Sequence, residues 1–264
     1  MSETMSVLSL KKLFRFPFQA PNWQSRFLVG TALILANYVI PIVPGIFVAG
    51  YALRIMRQTL AGQDPELPAW DDWGELAKDG LRAMLVNLVY FLPALLVFAV
   101  GMVVYFYGNL YLPIAASRSS DPDQIMAGLP AVLLGSMAIL FVCMLVGTLL
   151  SLLGAIAMPA ATAHFVAQGE VKAGFQVRQW WRILRADKLG YFIGWVIVAG
   201  LFAVLYSGVM LAYFTIILCC LIPILMAPLG LYVLLVGAAL FGETYRESAV
   251  ELLNREQEVA VTTA

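Results

Sequence analysis

The chain has 264 residues, of which 62% are hydrophobic and only 12% are charged, and its formal net charge is zero. This composition excludes an ordinary soluble domain, in which about a quarter of the residues carry a charge. The zero net charge also gives no electrostatic reason to expect a nucleic-acid partner.

Charged residues are absent from four long stretches of the chain. These stretches are Phe27 to Leu53, Ala83 to Ser117, Gln124 to Gly169 and Leu189 to Gly242. A helix that crosses a bilayer needs about 20 apolar residues, so each stretch can cross at least once. The sequence therefore predicts an all-α integral membrane protein.

The first apolar stretch contains the break "IPIVPG", in which Pro41 and Pro44 interrupt the helical hydrogen bonds. It can form one kinked span or a hairpin of two short spans. A hairpin places every Lys and Arg except Arg118 on one side of the membrane, which the positive-inside rule identifies as the cytoplasmic side. We therefore predict a hairpin, with both termini cytoplasmic, in the inner (plasma) membrane.

The complete prediction is six transmembrane helices arranged as three hairpins, in a single multi-pass membrane domain over residues 1–242. The predicted spans cover about 22–40, 42–60, 81–107, 126–157, 189–211 and 215–241. Cytoplasmic amphipathic connectors join the hairpins, and residues 243–264 form a cytoplasmic C-terminal helix and tail.

The stretch "PELPAWDDWGELAKDG" places acids and tryptophans between two apolar stretches. Asp72 and Glu75 have the spacing of a capping box, so they predict the start of a helix. Trp70 and Trp73 suit the headgroup level of the bilayer as anchors. The alternative is a divalent-cation or partner site, because carboxylates bind hard cations. Its ligands would be Asp71, Asp72, Glu75 and Asp79.

The stretch from Lys172 to Lys188 predicts an amphipathic helix. Its apolar face contains Val177, Trp180, Trp181, Ile183 and Leu184. Arg178, Arg182 and Arg185 form a separate stripe. Such a helix would lie at the membrane surface, with Trp180 and Trp181 as anchors and the arginines on anionic lipids. The alternative is a connector whose basic side chains simply extend to the headgroups.

Motifs for catalysis and for ligand binding are missing from the sequence. There is no phosphate-binding loop, no zinc-binding motif and no charged residue deep in a predicted span. His164 is the single histidine, and we expect it to be structural or interfacial. The cysteines, which lie in apolar stretches, are expected to pack as small hydrophobic residues. We expect no metal and no cofactor, and the bare spans argue against ion-coupled transport.

The stretches "PFQAPNW", "GYALR" and "LPAWDDWG" with the following "DGL" resemble a prokaryotic family of all-helical membrane proteins, domain of unknown function 4013. The resemblance covers roughly Leu13 to Gly242. A later stretch, "MPAATAHFVAQGEVKAGFQVRQWWRIL", is similar to a broader group of six-helix proteins, including membrane domains beside glycerophosphodiester phosphodiesterases. The resemblance implies a helical membrane fold, and it implies no particular activity or site residue.

The unusual residues lie in the predicted cytoplasmic stretches, whereas the spans are chemically bare. We therefore expect a non-enzymatic membrane protein that organises membrane or partner proteins through its cytoplasmic face or C-terminal helix. The alternative is a permease or scramblase for a neutral or lipidic solute. A lipid-modifying enzyme that uses Asp71 and Asp72 is a weaker alternative.

Overall fold

The computed structural model describes residues 7–118, 122–213 and 216–263, which form helices joined by turns and short loops and contain no β-strand. The α-helices are α1 (Val7–Arg15), α2 (Trp23–Ala36), α3 (Val43–Leu60), α4 (Trp73–Phe106), α5 (Leu112–Ser117), α6 (Pro122–Gln168), α7 (Val177–Ala186), α8 (Lys188–Tyr213) and α9 (Ile216–Thr263). Short 3-10 turns occupy Phe16–Phe18 and Val171–Phe175, and a π-helical turn occupies Tyr107–Tyr111.

Four helical segments in the described part of the chain are long and apolar enough to cross a membrane. They are Trp73–Ala115, Ala127–Gln168, Lys188–Met210 and Leu221–Thr262. The helices α2 and α3 are not among them, so the structure does not confirm six crossings or three hairpins. The 14 residues of α2 extend about 21 Å, which is less than the roughly 30 Å of a hydrocarbon core.

The break predicted in the first apolar stretch is confirmed. The helix α2 ends at Ala36, and α3 begins at Val43 and packs against α2. Pro44 lies in the first turn of α3, where the amide hydrogen that proline lacks would have no helical partner. We call these two helices the α2–α3 pair.

The chain divides into two compact units. The first contains the described residues up to Val86 and from Pro159 onward, and the second contains residues 87–158. Within the first unit, α9 contacts α1, α2, α3, α7 and α8. Its buried core includes Tyr51, Leu76, Leu235 and Leu240. The helix α9 is therefore the element on which the first unit is built.

Small residues bring the helices of the second unit close together. A methyl group added at Gly101 would lie 2.6 Å from Cβ of Cys143, and one added at Gly147 would overlap the ring of Phe98. Small residues allow this approach of helix backbones in membrane proteins. The half-buried Cys143 thus packs as a small side chain, whereas the side chains of Cys219 and Cys220 lie outside the described residues.

The helices α6 and α9 continue more than ten residues past the ends of the predicted spans. The helix α6 continues to Gln168, and α9 continues to Thr263 without a break after Gly242. The predicted C-terminal helix is therefore the last part of α9 rather than a separate element. The helix α8 ends at Tyr213 and α9 begins at Ile216, and the two residues between them, 214 and 215, lie outside the described part.

Candidate functional site

Glycines fix the position of α4 against α3 in the first unit. A methyl group at Gly50 would overlap the carbonyl oxygen of Leu76, and a methyl group at Gly80 would overlap that of Ile46. Because the obstacle is backbone in both places, no side-chain movement can relieve it. The two helices therefore cross with their backbones in contact, which sets the charged residues at the end of α3 beside those at the start of α4.

Trp70 holds the loop between α3 and α4 in place. Its ring stacks on Tyr51, with the ring centroids 4.0 Å apart, and its Nε1 donates a hydrogen bond of 2.7 Å to the carbonyl oxygen of Arg26. The Tyr51 hydroxyl donates to the carbonyl oxygen of Pro68 at 2.8 Å. Trp70 is thus half-buried in internal packing, while Trp73 at the start of α4 keeps 44% of its surface exposed and can serve as an anchor.

The four acids of the "WDDWGELAKDG" stretch do not converge on one point. Asp71 pairs with Arg54 at 2.7 Å, and Asp79 pairs with Arg57 at 2.5 Å and lies 3.8 Å from Arg82. Glu75 pairs with Lys78 at 2.8 Å. Among the described residues, no group of three His, Cys, Asp or Glu side chains is arranged to hold a metal ion. Three of the four acids therefore form separate ion pairs. Asp71 ties the loop before α4 to α3, Asp79 ties α4 itself to α3, and Glu75 pairs within α4.

Asp72 lies immediately before α4, where the sequence predicts a helix start. Its carbonyl oxygen accepts hydrogen bonds from the amides of Glu75 and Leu76 at 2.9 and 3.0 Å. Its backbone is left-handed, with φ of 49°, whereas a capping residue ordinarily has an extended backbone. The Glu75 carboxylate bonds to Lys78 rather than to the Asp72 amide. The helix begins as expected, but the return bond of a capping box is not formed.

The two tryptophans of α7 have different surroundings. Trp180 is only 3% exposed, because α7 packs on α8 and α9. Trp181 is exposed, and the guanidinium of Arg185 lies 5.1 Å from the centre of its ring. Trp181 is consequently available as a surface anchor, and Trp180 is part of the core.

The arginine stripe of α7 is divided between different partners. Arg182 forms an ion pair with Glu256 of α9, and Arg255 of α9 donates to the carbonyl oxygen of Ala186 at 3.1 Å. These contacts brace the last part of α9 against α7. Arg178 is exposed, and it forms no ion pair or hydrogen bond with another described residue. It is therefore the member of the stripe most open to an external anion.

His164 joins three helices within the first unit. Its side chain is buried, with Nδ1 2.6 Å from the Tyr245 hydroxyl of α9 and Nε2 3.2 Å from Oε1 of Gln179 in α7. Both ring nitrogens have a polar neighbour, which is what a buried imidazole requires. This arrangement agrees with the structural role expected for His164.

Sequence reasoning did not identify the partners of the predicted residues. Arg54, Arg57 and Glu256 were not singled out, although each stands opposite a charge of the other sign. The signal for the first two is that basic residues end one apolar stretch and acids begin the next. The pairing of Arg182 with Glu256 has no such local signal, because 74 residues separate the two.

The fold and these contacts define a class of protein. It is a helical membrane protein whose polar residues are paired at the ends of its apolar helices. Residues 33–214, about two thirds of the chain, match the family described as Protein of unknown function (DUF4013). The chain belongs to this family.

The match is shorter than the resemblance of the sequence suggested. It begins after the "PFQAPNW" stretch and ends before α9. It includes the whole α3–α4 crossing with its glycines, Trp70 and the ion pairs. No curated protein and no solved structure matches the chain.

Proposed function

We propose that this protein is a non-enzymatic, multi-pass membrane protein that binds a partner protein through the last part of α9. The observation that carries this proposal is the way α9 changes character along its length. From Leu231 to Ser248 most of its residues are buried in the first unit, and from Val250 onward the helix is mainly exposed. A helix that is anchored along one part and exposed along the next can present a docking surface.

The exposed part of α9 has an apolar surface, and contacts with α7 hold it in place. Val250 and Leu253 are three positions apart in the helix, so they lie on the same side of it, and both are more than half exposed. The ion pair from Arg182 to Glu256 and the hydrogen bond from Arg255 hold this part against α7. A partner could therefore bind without first having to order the helix, which reduces the entropic cost of association. Apolar side chains at such spacing are typical anchors of a helix that binds in a groove.

The distribution of basic residues supports a cytoplasmic location for this surface. All Lys and Arg residues except Arg118 are on the same side if the α2–α3 pair returns the chain to the side on which it began. The proposal accordingly places both termini in the cytoplasm and the protein in the inner membrane. Anionic lipids are a second class of partner, with Arg178 on α7 as the principal contact.

A site-specific photo-crosslinker can test the partner surface. We expect a crosslinker at Leu253 to give one protein adduct of constant mass in native membranes. A crosslinker at Leu225, which is similarly exposed but lies in the apolar part of α9, should give no such adduct. Leu253→Ser should reduce stoichiometric co-purification of the adduct partner, while Leu225→Ser should leave it unchanged.

A flux measurement separates this proposal from the permease alternative. The purified chain in proteoliposomes should show no saturable, protein-dependent flux of neutral solutes or of fluorescent lipids. Such a flux, together with the absence of an adduct at Leu253, would replace the proposed role by transport.

A further inference from the structure

The turn that connects α2 to α3 is apolar and exposed. Its exposed large side chains are Tyr38, Val39, Ile40, Ile42 and Val43, and Val39 is 83% exposed. No charged residue occurs between Phe27 and Leu53. A turn that faces water ordinarily contains Gly, Asn, Asp or Ser, whereas this one reads "YVIPIV". The composition of the turn indicates an apolar environment.

The opposite end of the α2–α3 pair is polar and held in place. The carbonyl oxygen of Arg26 accepts the hydrogen bond from Trp70, and the guanidinium of Arg54 pairs with Asp71. These contacts define a polar base level for both helices. From this level α2 extends about 15 Å to Ala36, and α3 extends about 17 Å to Val43, at 1.5 Å per residue. The pair thus extends about half of the roughly 30 Å thickness of a hydrocarbon core.

The burial of α9 supports this depth independently. Gly242 of α9 packs on Thr59 of α3, and Leu231 packs on Gly30 of α2, so the pair runs along this part of α9. Burial of α9 is continuous from Leu235 to Gly242, whereas Ile224 and Leu225 are exposed. The pair therefore covers the part of α9 nearest the polar base and ends before the apolar part of α9 does. By contrast, the 26 residues of α8 extend about 39 Å, enough for a full crossing.

We infer that the α2–α3 pair is a re-entrant element, which enters the bilayer from the side of its polar base, turns at Tyr38–Val43 near the midplane and returns. Lipid acyl chains are the partner of the turn, because its exposed large side chains are apolar and no charged residue occurs between Phe27 and Leu53. The predicted sidedness of the chain is unchanged, since a re-entrant pair returns the chain to the same side as a full hairpin does. The number of complete crossings is then four rather than the six predicted from the sequence.

Cysteine accessibility distinguishes a re-entrant pair from a full crossing. In a background with Cys143, Cys219 and Cys220 replaced by Ala, we expect Val39→Cys to resist an impermeant maleimide in both right-side-out and inverted vesicles. Two control variants should react, Gln63→Cys from the cytoplasmic side and Ser117→Cys from the opposite side. Labelling of Val39→Cys from the Ser117 side would show a full crossing, and labelling from the Gln63 side would show that the turn is not inserted. Either result would overturn the inference.

Depth can be measured in the same background. The Val39→Cys variant, labelled with bimane in detergent and reconstituted, should be quenched more strongly by a nitroxide near the end of an acyl chain than by one at the headgroup. The reverse order would overturn the inference. A disulfide-linked dimer through Val39→Cys, with loss of acyl-chain quenching, would instead identify a second copy as the occupant and would also overturn it. If this variant does not fold, Ile40→Cys provides the same two measurements.

Discussion

Asp79 illustrates how burial separates residues that look alike in the sequence. Its side chain is 5% exposed and bonds to Arg57, whereas the side chain of Asp71 is 64% exposed and bonds to Arg54. A charge-assisted hydrogen bond contributes more when the carboxylate that accepts it is shielded from water, because water then competes less for that carboxylate. The sequence presented both aspartates as members of one acidic cluster, whereas their burial in the structure indicates that the Asp79 pair contributes more to stability than the Asp71 pair.

We expect Asp79→Asn to lower the free energy of unfolding by about 1.5–3 kcal/mol, because it weakens a charge-assisted hydrogen bond at a buried site. Asp71→Asn should cost less than about 1 kcal/mol, since water screens the exposed pair. Thermal unfolding of the purified variants in detergent measures both. Equal loss of stability in the two variants would contradict the assignment of Asp79 as the buried member.

At the scale of elements, the crossing of α3 and α4 depends on two glycines. Gly50 and Gly80 face backbone carbonyl groups, whereas Gly74 near the start of α4 has no atom within 4 Å of an added methyl group. All three glycines lie in helices, but they differ in whether a neighbouring backbone leaves room for a side chain. Only the first two are required for close packing.

Gly50→Ala should destabilise the chain by about 1–3 kcal/mol or more, since the helices must move apart to admit the methyl group. The matched control Gly74→Ala should be neutral or stabilising by up to about 1 kcal/mol, because alanine favours a helix. Melting temperatures and the yield of folded protein in detergent test this pair. A neutral Gly50→Ala variant would show that α3 and α4 do not touch at this point.

The arginines of α7 lead to a separate prediction about the binding of acidic lipids. Near an anionic leaflet each basic side chain contributes about 1 kcal/mol of attraction. Arg178→Gln should therefore reduce co-purified acidic lipid more than Arg182→Gln, because Arg182 already pairs with Glu256. Mass spectrometry of bound lipid measures the ranking. If both variants retain the full complement of acidic lipid, the stripe does not bind lipid headgroups.

At the scale of the whole molecule, the distribution of charge predicts the sidedness of the chain. The loop that contains Gln63 should face the cytoplasm, and the segment that contains Ser117 should face the opposite side. In the cysteine-free background, Gln63→Cys should react only in inverted vesicles and Ser117→Cys only in right-side-out vesicles. Reaction of Gln63→Cys from outside would reverse or invalidate the predicted topology.

The sequence by itself determined the class of protein and the places where helices break. Long stretches without charge require helices in a bilayer, because no other open structure satisfies its backbone hydrogen bonds there. The prolines at 41 and 44 likewise predicted the division between α2 and α3, since proline has no amide hydrogen and interrupts the helix in which it lies. These are local properties, and they can be read from neighbouring residues.

The tertiary structure alone decided which residues are partners and which are buried. Trp180 and Trp181 are adjacent and chemically identical, yet only Trp180 is buried, because α8 and α9 cover one side of α7. The bond from Arg182 to Glu256 joins residues 74 positions apart. Such pairings depend on how distant helices pack, which no local pattern contains. The length of α9 that the α2–α3 pair covers likewise follows only from the packing of these helices, because it depends on contacts between residues far apart in the sequence.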